Sequence, residues 1–441
     1  MGIGGIGMSA LAYYFLQKEY DVYGYDLTPS EITTKLEEAG VKIHFDENIE
    51  QIPENIEFVV HTPAVSTTFS EYKYFKEKKI PVYKRAEILG MISREKPTIA
   101  IAGTHGKTTT TALISHILHP EKNITAFIGG ISKNTNTNFI INENCEMVVV
   151  EADEYDRSFL TLHPSTAIIT SIDADHLDIY EEKNKLEDSF QCFANQTQKT
   201  LVIHETIASQ IDHPHKKTYG FSEKSDCFAT NVIAFPHKTV FDLHYNGQIM
   251  KEVSLGIPGR YNLLNALAAF TAIKLEHDLR GKDFPTELIL RKLALFQGVK
   301  RRFDYQIYRD DFVYIDDYAH HPQEISSFLS SVKSAFPEKQ ITAVFQPHLY
   351  SRTRDFADEF AQSLSIADQI ILLDIYPARE EPIPGITSDW LLSKIAKTEK
   401  IKLSKEALIP YLTAHKPEVL VTLGAGDIDR LVAEIVKGFQ K

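Results

Sequence analysis

The sequence predicts an α/β protein of three domains, and three observations carry this prediction. A chain of 441 residues is too long for one ordinary hydrophobic core. Short β-branched runs alternate with helical stretches along its whole length, which is typical of layers built on largely parallel sheets. A charged stretch ending at Pro97 and a glycine at 298 mark two boundaries. We therefore expect domains at residues 1–95, 96–298 and 299–441.

Composition excludes several classes of protein. With 43% hydrophobic and 24% charged residues the chain is globular, and a net charge of −13 argues against nucleic acid as the main partner. Three scattered cysteines argue against a disulfide framework and favour a reducing compartment. The apolar start has no basic residue before Lys18, and no apolar run approaches the ~18–20 residues that span a bilayer. We expect a cytoplasmic monomer or homodimer that binds no membrane.

The central domain opens with the run 97–102, which has the pattern of a strand, followed by a glycine loop and a run with the pattern of a helix. Such a loop cradles phosphate with its backbone N–H groups and the positive end of the helix dipole. Lys107 would neutralise the β- and γ-phosphates of ATP. The nucleotide-binding residues predicted in this loop are Gly103, Thr104, His105, Gly106, Lys107, Thr108 and Thr109. Because Ile101 replaces the first glycine of the common longer pattern, ordinary P-loop switches and motors match less well.

A second glycine motif opens the first domain and predicts a Rossmann-like unit. Its residues are Gly2-Ile3-Gly4-Gly5-Ile6-Gly7, followed by a helical stretch, and Asp26 ends the next strand-like run 19 residues after Gly7. A Rossmann unit holds a pyrophosphate at such glycines and a ribose at such an acid. We expect substrate contacts at Gly4, Gly5, Ile6, Gly7 and Asp26. The strand that normally precedes the glycines is not in this sequence, so either the sheet lacks that strand or residue 1 is an internal start.

Carboxylates after the strands of the central domain predict a magnesium site. The run 147–150 ends in Glu151, and a later run leads to Asp173-Ala174-Asp175-His176. Mg²⁺ takes few protein ligands and otherwise keeps water and phosphate oxygens. We expect Thr108, Glu151 and His176 to hold Mg²⁺, and Lys107, Glu151 and His176 to be catalytic.

Further polar residues predict base and substrate contacts. Asn262 and Asn265 stand three apart at a helix start and suit a base edge or ribose. In the third domain Arg352 and Arg354 suit a carboxylate, since arginine binds carboxylates through two N–H groups. The adjacent His320 and His321 do not predict zinc, because neighbouring side chains diverge and no cysteine pair accompanies them.

In this order the motifs resemble the Mur ligase family of peptidoglycan synthesis over nearly the full length. The segments that carry the resemblance are GIGGIGMSALA at 2–12, GTHGKTTTT at 103–111, EADE at 151–154, DADH at 173–176, GRYN at 259–262 and HHP at 320–322. The glycine-rich start is most similar to members that attach L-alanine to UDP-N-acetylmuramate.

The resemblance implies an ATP- and Mg²⁺-dependent ligase with a central P-loop ATPase-type domain and a Rossmann-like C-terminal domain. The lactyl carboxylate of UDP-N-acetylmuramate would attack the γ-phosphate of ATP, and the amine of L-alanine would displace phosphate from the acyl phosphate. It further implies nucleotide contacts at Asn262, Asn265, Arg302 and Asp317, and substrate contacts at His348, Arg352 and Arg354. Many family members carry a carbamylated lysine, and Lys183, Lys185 and Lys199 are poorly spaced candidates.

Three alternatives stay open. A sister ligase that attaches a recycled tripeptide to the same sugar nucleotide shares the phosphate loop, although the glycine-rich start favours L-alanine. A dinucleotide-dependent dehydrogenase would use Gly2–Gly7 and Asp26, yet it leaves the phosphate loop unexplained. A non-enzymatic ATP switch leaves the arginines and histidines of the third domain unexplained.

Overall fold

The computed structural model describes residues 1–173, 183–279, 281, 285–378, 380–397 and 399–439. By their contacts these fall into two compact units. The first unit contains residues 1–230, 242–251 and 264–296, and the second contains residues 231–241, 252–263 and 297–441. The predicted division into three domains at residues 95 and 298 stays a prediction.

The first ninety-five residues form short strands and helices in strict alternation. Two separate parallel pairs, β1 with β2 and β3 with β4, make up their sheets. The elements are α1 (Ile6–Gln17), β1 (Tyr23–Tyr25), α2 (Glu31–Glu38), β2 (Lys42–His44), β3 (Val59–His61), α3 (Ser70–Glu77), β4 (Val82–Lys84) and α4 (Arg85–Glu95). A 3₁₀ turn covers Ile49–Gln51. The strand-like run before Asp26 forms the three-residue strand β1, and Asp26 follows it directly.

A large central sheet follows the first ninety-five residues along the chain. Along the sheet the strands lie in the order β11-β10-β9-β5-β8-β6-β7, and it continues beyond β11 through β12, β13 and β14. The strands are β5 (Thr98–Ala102), β6 (Ile124–Ser132), β7 (Thr137–Ile140), β8 (Met147–Glu151), β9 (Thr166–Ile169), β10 (Thr200–His204), β11 (Lys216–Gly220), β12 (Cys227–Phe235), β13 (Lys238–Tyr245) and β14 (Gln248–Leu255). The helices are α5 (Lys107–Leu118), α6 (Lys183–Gln196), α7 (Arg260–Asp278) and α8 (Thr286–Leu295), with a 3₁₀ turn at Tyr155–Thr161.

The central strands are parallel and buried on both faces, which explains their uninterrupted apolar sequences. Strand β5 lies between β8 and β9, parallel to both, and Ile99 to Ala102 have no exposed surface. One hydrophobic cluster joins this sheet to Leu11 of α1 and Leu89 of α4. Only β7 runs antiparallel to its neighbour β6 at this edge. The carboxyl ends of β5, β8 and β9 therefore meet at one edge of the sheet.

The second unit contains a six-stranded sheet in the order β15-β16-β20-β17-β18-β19. All pairs are parallel except β15 with β16. Its strands are β15 (Asp304–Tyr308), β16 (Val313–Asp317), β17 (Ile341–Phe345), β18 (Gln369–Leu372), β19 (Lys400–Lys402) and β20 (Val419–Leu423). Its helices are α9 (Pro322–Ala335), α10 (Tyr350–Asp355), α11 (Ala357–Leu364), α12 (Ser388–Lys394), α13 (Lys405–His415) and α14 (Asp429–Phe439). Two hydrophobic clusters cover the two faces.

Candidate active site

The phosphate loop joins β5 to α5 as the sequence predicts. Gly103 and Gly106 have φ angles of 131° and 81°, which only glycine adopts without strain. A Cβ atom at Gly103 would lie 2.1 Å from the Thr170 hydroxyl, and one at Gly106 would lie 2.5 Å from Oδ1 of Asn265. Helix α5 begins at Lys107, and no side chain caps it. Its first N–H groups are therefore available to an anion.

The two residues that follow β9 hold the phosphate loop in shape. The backbone N–H of His105 donates to Oγ of Ser171 at 2.9 Å, and the N–H of Thr104 donates to the Ser171 carbonyl at 3.1 Å. The Thr170 hydroxyl donates to the carbonyls of Ala102 and His105. Because β9 is the parallel neighbour of β5, its end reaches the loop directly. The sequence analysis did not single out Thr170 or Ser171.

Lys107 is held by a buried carboxylate in this structure. Its Nζ donates to both carboxylate oxygens of Glu154, at 2.9 and 2.8 Å, and to the Gly103 carbonyl at 2.7 Å. Glu154 has no exposed side-chain surface and Lys107 has 13%. Burial opposes the charged lysine, but the carboxylates of Glu154, Asp153 and Glu151 outweigh it and raise the pKa of Lys107 above its usual range. Lys107 is therefore a fixed cation at the start of α5.

Glu151 and Thr108 come together beside the lysine. The Thr108 hydroxyl donates to Oε1 of Glu151 at 3.2 Å, and the backbone N–H of Gly129 donates to Oε2 at 2.9 Å. A Cβ atom at Gly129 would lie 2.1 Å from Oε2, so a larger residue here would require the carboxylate to move. One carboxylate and one hydroxyl beside a phosphate loop suit Mg²⁺, which completes its shell with water and phosphate oxygens. The donor set therefore fits the ion.

The other predicted metal ligand, His176, lies outside the described residues. Within the described part of the chain no group of three or more histidine, cysteine or acidic side chains could enclose a metal. Asp173 from the same motif is described, and its Oδ2 lies 3.4 Å from Nε2 of His105 and accepts from the Thr104 hydroxyl at 3.3 Å. The motif thus reaches the phosphate loop through its first residue.

The two predicted amides lie in the first turns of α7, and both are buried. Asn265 contacts the phosphate loop at Gly106. Nδ2 of Asn262 instead donates to the Pro258 carbonyl at 2.7 Å, within its own segment. Contact of either amide with adenine or ribose stays a prediction.

The first glycine loop is enclosed by three polar side chains. Asp26, directly after β1, accepts from the backbone N–H of Gly4 at 2.7 Å and so holds the glycine loop in place. Nδ2 of Asn138 donates to the Ile6 carbonyl at 2.6 Å. A Cβ atom at Gly7 would lie 2.6 Å from Nη1 of Arg85, which places a guanidinium against the start of α1. Arginine at a helix start is suited to phosphate.

Arg85 also connects the two loops, and the sequence analysis did not single it out. Its Nη2 lies 3.7 Å from Oδ2 of Asp153, the residue before Glu154. Arg85 begins α4, directly after β4. A row of charged side chains consequently begins at Arg85, beside Gly7, and continues through Asp153 and Glu154 to Lys107.

In the second unit, the buried Asp317 lies near the partly exposed Arg302. Asp317 accepts from the N–H groups of Phe303 and Ala319 at 2.7 and 2.8 Å. Burial raises the pKa of Asp317 to about 7, although the nearby Arg302 and these hydrogen bonds act in the opposite direction. Arg302 lies over the Tyr318 ring, 4.9 Å from its centre, and 3.8 Å from Glu324. Asp317 is the last residue of β16.

Arg352 and Arg354 lie in different surroundings in this structure. Arg352 is buried, whereas Arg354 is half-exposed and its Nε donates to Asp355 at 2.7 Å. Both lie on the short helix α10, where residues two apart point in different directions. His348 precedes this helix and stacks on Tyr376 at 5.7 Å between ring centres. Substrate contacts by these residues stay predictions.

Models of known protein families match three consecutive parts of this chain. Residues 1–97 match the model described as "Mur ligase family, catalytic domain", residues 101–273 match the "Mur ligase middle domain", and residues 301–426 match the "Mur ligase, glutamate ligase domain". These matches cover most of the sequence. The chain belongs to the Mur ligase family.

Similar proteins span nearly the whole chain. A UDP-N-acetylmuramate–L-alanine ligase of Flavobacterium psychrophilum is 47% identical over 99% of this chain and 96% of its own length. The enzyme of the same name from Flavobacterium johnsoniae is 46% identical with the same coverage. The crystal structure of UDP-N-acetylmuramate–alanine ligase MurC from Thermotoga maritima is 28% identical with a TM-score of 0.82, covering 100% of this chain and 98% of that one.

A murein peptide ligase from Psychrobacter arcticus also has the same fold, with a TM-score of 0.67 at 22% identity, over 99% of this chain and 97% of its own. At that identity the likeness concerns the fold alone. Among the described helices, none combines the length and apolar character that crossing a bilayer requires.

Proposed function

We propose that this chain is an ATP-dependent amide-bond ligase that joins L-alanine to the lactyl carboxylate of UDP-N-acetylmuramate in peptidoglycan precursor synthesis. The observation that carries the proposal is the phosphate loop at Lys107, with Glu151 and Thr108 beside it, in a chain that aligns over 99% of its length with relatives of that name. A carboxylate must be activated before an amine can attack it, and phosphorylation by ATP provides that activation.

In the first step a carboxylate oxygen attacks the γ-phosphorus, the bond to ADP breaks, and an acyl phosphate forms. The protein positions the reactants and stabilises spreading negative charge. Lys107 supplies a fixed ammonium for the phosphate oxygens, and the N–H groups of the first turn of α5 supply dipoles. Mg²⁺ held by Thr108 and Glu151, with His176, would screen the β- and γ-phosphates. In the second step the amine of L-alanine displaces phosphate.

The first glycine loop is the proposed site of the sugar nucleotide. Gly4 to Gly7 present the start of α1 to its pyrophosphate, and Arg85 adds a guanidinium at the same place. The row of charges from Arg85 to Glu154 then lies between the two phosphate-binding loops. The chain therefore has separate places for the acceptor and for ATP within its first unit.

Residues of the second unit are proposed to complete substrate selection. Arg302 and Asp317 would contact the nucleotide, and His348, Arg352 and Arg354 the amino acid or the sugar. Arg352 is buried and Arg354 is half-exposed, which supports different tasks for the two arginines. A ligase for a recycled tripeptide would share the phosphate loop, so we place the difference between the two functions in the glycine-rich start and in the second unit.

Phosphate release from ATP tests the proposal. The chain is incubated with ATP and Mg²⁺, with and without UDP-N-acetylmuramate, and with L-alanine, glycine, L-serine or tripeptide. We expect release that requires both the sugar nucleotide and L-alanine, with formation of the amide product measured by mass spectrometry. Release without the sugar nucleotide, or only with tripeptide, would contradict the proposal.

A matched pair of variants separates chemistry from folding. Lys107→Ala should abolish release, because it removes the cation from the phosphate loop. Lys292→Ala removes another lysine with 13% exposure that is paired with a carboxylate, Glu121, at 3.1 Å. It should retain activity, since Lys292 lies on α8 and contacts neither glycine loop in this structure. Near-normal activity of Lys107→Ala would refute the role of the phosphate loop.

A further inference from the structure

Arg302 lies between two residues whose backbone has a left-handed conformation. The φ angle is 61° at Arg301 and 47° at Phe303, in a region that favours glycine. The N–H of Arg302 donates to the Val299 carbonyl at 3.1 Å, which closes a tight loop. Side chains persist in such conformations only where surrounding contacts fix them, and they concentrate at functional sites. We call residues 299–303 the arginine loop.

Acidic side chains of the two adjoining strands hold the backbone of the arginine loop. The N–H of Arg301 donates to Oδ2 of Asp304 at 3.1 Å, and the N–H of Phe303 donates to Oδ2 of Asp317 at 2.7 Å. The Arg301 carbonyl accepts from the N–H of Tyr318 at 2.8 Å. Asp304 begins β15 and Asp317 ends β16, which are antiparallel neighbours. The two left-handed residues are therefore both anchored to this strand pair.

The side chain of Arg301 joins the loop to three further places in the second unit. Its Nε donates to Oδ2 of Asp316 at 3.1 Å, and its Nη2 donates to the Gly424 carbonyl at 2.7 Å. Its Nη1 lies 3.5 Å from Oδ2 of Asp429, the first residue of α14. All three guanidinium nitrogens thus face partners within the second unit. Only a planar, forked side chain can reach three such partners at once.

The main partner of Arg301 belongs to a buried polar network. Asp316 is almost completely buried, and its Oδ1 accepts from the Thr422 hydroxyl at 2.7 Å. That hydroxyl lies 3.0 Å from the hydroxyl of Tyr314, and both residues are fully buried. Burial raises the pKa of Asp316, although Arg301 and Thr422 act in the opposite direction. A buried network whose members are all bonded fixes one geometry of its parts.

Arg302 contrasts with its neighbour, because its side chain is the more exposed of the two. Its side chain is 30% exposed and that of Arg301 is 22% exposed. The two guanidinium groups lie 4.9 and 5.2 Å from the centre of the Tyr318 ring. Asp316 neutralises Arg301, and Glu324 lies 3.8 Å from Arg302, so two neighbouring cations can share this ring. The loop therefore holds one arginine within the fold and presents the other beside it.

We propose that Arg301 is a positioning residue for the ligase reaction: its side chain fixes the arginine loop, so that Arg302 is in place for the nucleotide before ATP binds. The inference rests on the proposed function, which assigns a nucleotide contact to Arg302. A side chain that is fixed beforehand loses less conformational freedom on binding, and it stabilises developing charge without rearrangement. Arg301 acts through Arg302 and does not itself contact the nucleotide.

Hydrogen exchange tests the structural part of this proposal without any substrate. Arg301→Ala is compared with the parent chain and with Arg309→Ala. The control removes an arginine with the same kinds of partner, since Arg309 donates to Asp311 at 3.1 Å and to the Phe439 carbonyl at 2.8 Å, and lies 5.8 Å from the Phe312 ring. Strand β18 is the internal reference for general loosening, because β17 separates it from β20.

We expect the N–H groups of Phe303 and Tyr318 to exchange at least about tenfold faster in Arg301→Ala than in the other two forms. Exchange in β18 should be the same in all three forms. Equal exchange of the Phe303 and Tyr318 N–H groups in all three forms would overturn the proposal.

Steady-state kinetics with varied ATP test the link to Arg302, with each variant assayed well below its thermal midpoint. Arg301→Ala should lower kcat/KM for ATP at least about tenfold, Arg301→Lys should restore part of the loss, and Arg309→Ala should match the parent chain. The double variant of Arg301→Ala and Arg302→Ala should be no worse than Arg302→Ala alone, because the first residue acts through the second. Losses that multiply in the double variant would overturn the proposal.

Two other outcomes separate this inference from the proposed function. Parent activity in Arg302→Ala would contradict the nucleotide contact and the positioning role together. A large loss in Arg302→Ala with no loss in Arg301→Ala would overturn the positioning role alone and leave the proposed function intact.

Discussion

Both carboxylate oxygens of Glu154 accept hydrogen bonds from the ammonium of Lys107, at 2.9 and 2.8 Å. The charge of Lys107, the group that we propose binds phosphate, is thus already neutralised by a fully buried carboxylate. An incoming triphosphate must share or replace this partner. Since the ammonium also bonds to the Gly103 carbonyl, the pair keeps the side chain in place at the loop.

Breaking this pair from either side should cost stability. Lys107→Met and Glu154→Gln each leave a buried charge without its partner, which typically costs about 3–5 kcal/mol. The double variant should cost less than the sum of the single variants, because it leaves no such charge. Urea unfolding of all four forms measures the coupling. Additive losses would contradict a direct interaction.

Gly129→Ala should disturb the proposed magnesium site through Glu151. The new Cβ atom would lie 2.1 Å from Oε2 of Glu151, so the carboxylate must move. We expect at least about a tenfold lower kcat/KM, partly restored by higher Mg²⁺. Gly438→Ala is the control, since its Cβ atom would meet only Ile409, at 3.5 Å. An unchanged dependence on Mg²⁺ in Gly129→Ala would argue against Glu151 as a ligand.

Thr108→Val keeps the shape of the side chain and removes the hydroxyl that reaches Glu151. Titration of activity with Mg²⁺ should show half-saturation at about tenfold higher concentration. Thr108→Ser should restore it. Thr110→Val removes a fully buried hydroxyl that has no hydrogen-bond partner in the described structure, so it should behave like the parent chain.

Ser171→Ala should loosen the phosphate loop from its neighbour strand. The variant loses the acceptor of the His105 N–H and a hydroxyl 2.8 Å from that of Thr104. We expect KM for ATP to rise several-fold, with a loss of unfolding free energy of about 1 kcal/mol. Ser189→Ala, which removes a buried hydroxyl on α6, should leave KM unchanged. Equal KM values in both variants would contradict the positioning role.

Asp317 should make stability depend on pH. Its folded pKa of about 7 lies above the unfolded value of 3.8, so the folded chain holds a proton that the unfolded chain has lost. Stability should therefore fall as pH rises from about 4 to 7, by up to about 1.4 kcal/mol per unit, and level off above. Urea unfolding between pH 5 and 8 measures this slope.

The slope should shrink in Asp317→Asn and persist in Asp311→Asn, which changes an exposed aspartate of the same unit. If the unfolding free energy of Asp317→Asn depended on pH as steeply as that of the parent chain, the pH dependence would belong to another group.

Sequence patterns were sufficient for the regular elements near the site. β-branched runs became β5, β8 and β9, and the glycine loop lies where its spacing predicted. Periodicity and turn residues are local signals, so they can be read from the sequence without knowledge of the fold. The order of the motifs indicated the Mur ligase family, and the matches to the family models confirmed that membership.

Local patterns could not reveal side chains that contact the phosphate loop from a neighbouring strand of the sheet. Ser171 and Glu154 became recognisable only when β9 and β8 were placed beside β5. In the sequence Arg85 is an ordinary first residue of a helix, and only the position of α4 in the fold shows that its guanidinium lies against Gly7. Arg352 and Arg354 are near in sequence, but residues two apart on a helix point in different directions, so their spacing alone does not predict a shared contact.

The position of Arg85 between Gly7 and Asp153 has a thermodynamic consequence. An anion at the first glycine loop would draw the guanidinium away from Asp153, whose negative charge acts on Lys107. Under the proposed function, the affinity for one nucleotide would then depend on occupancy by the other. By linkage the effect must be equal in both directions, so a cycle of four dissociation constants would measure it, and Arg85→Ala should abolish it.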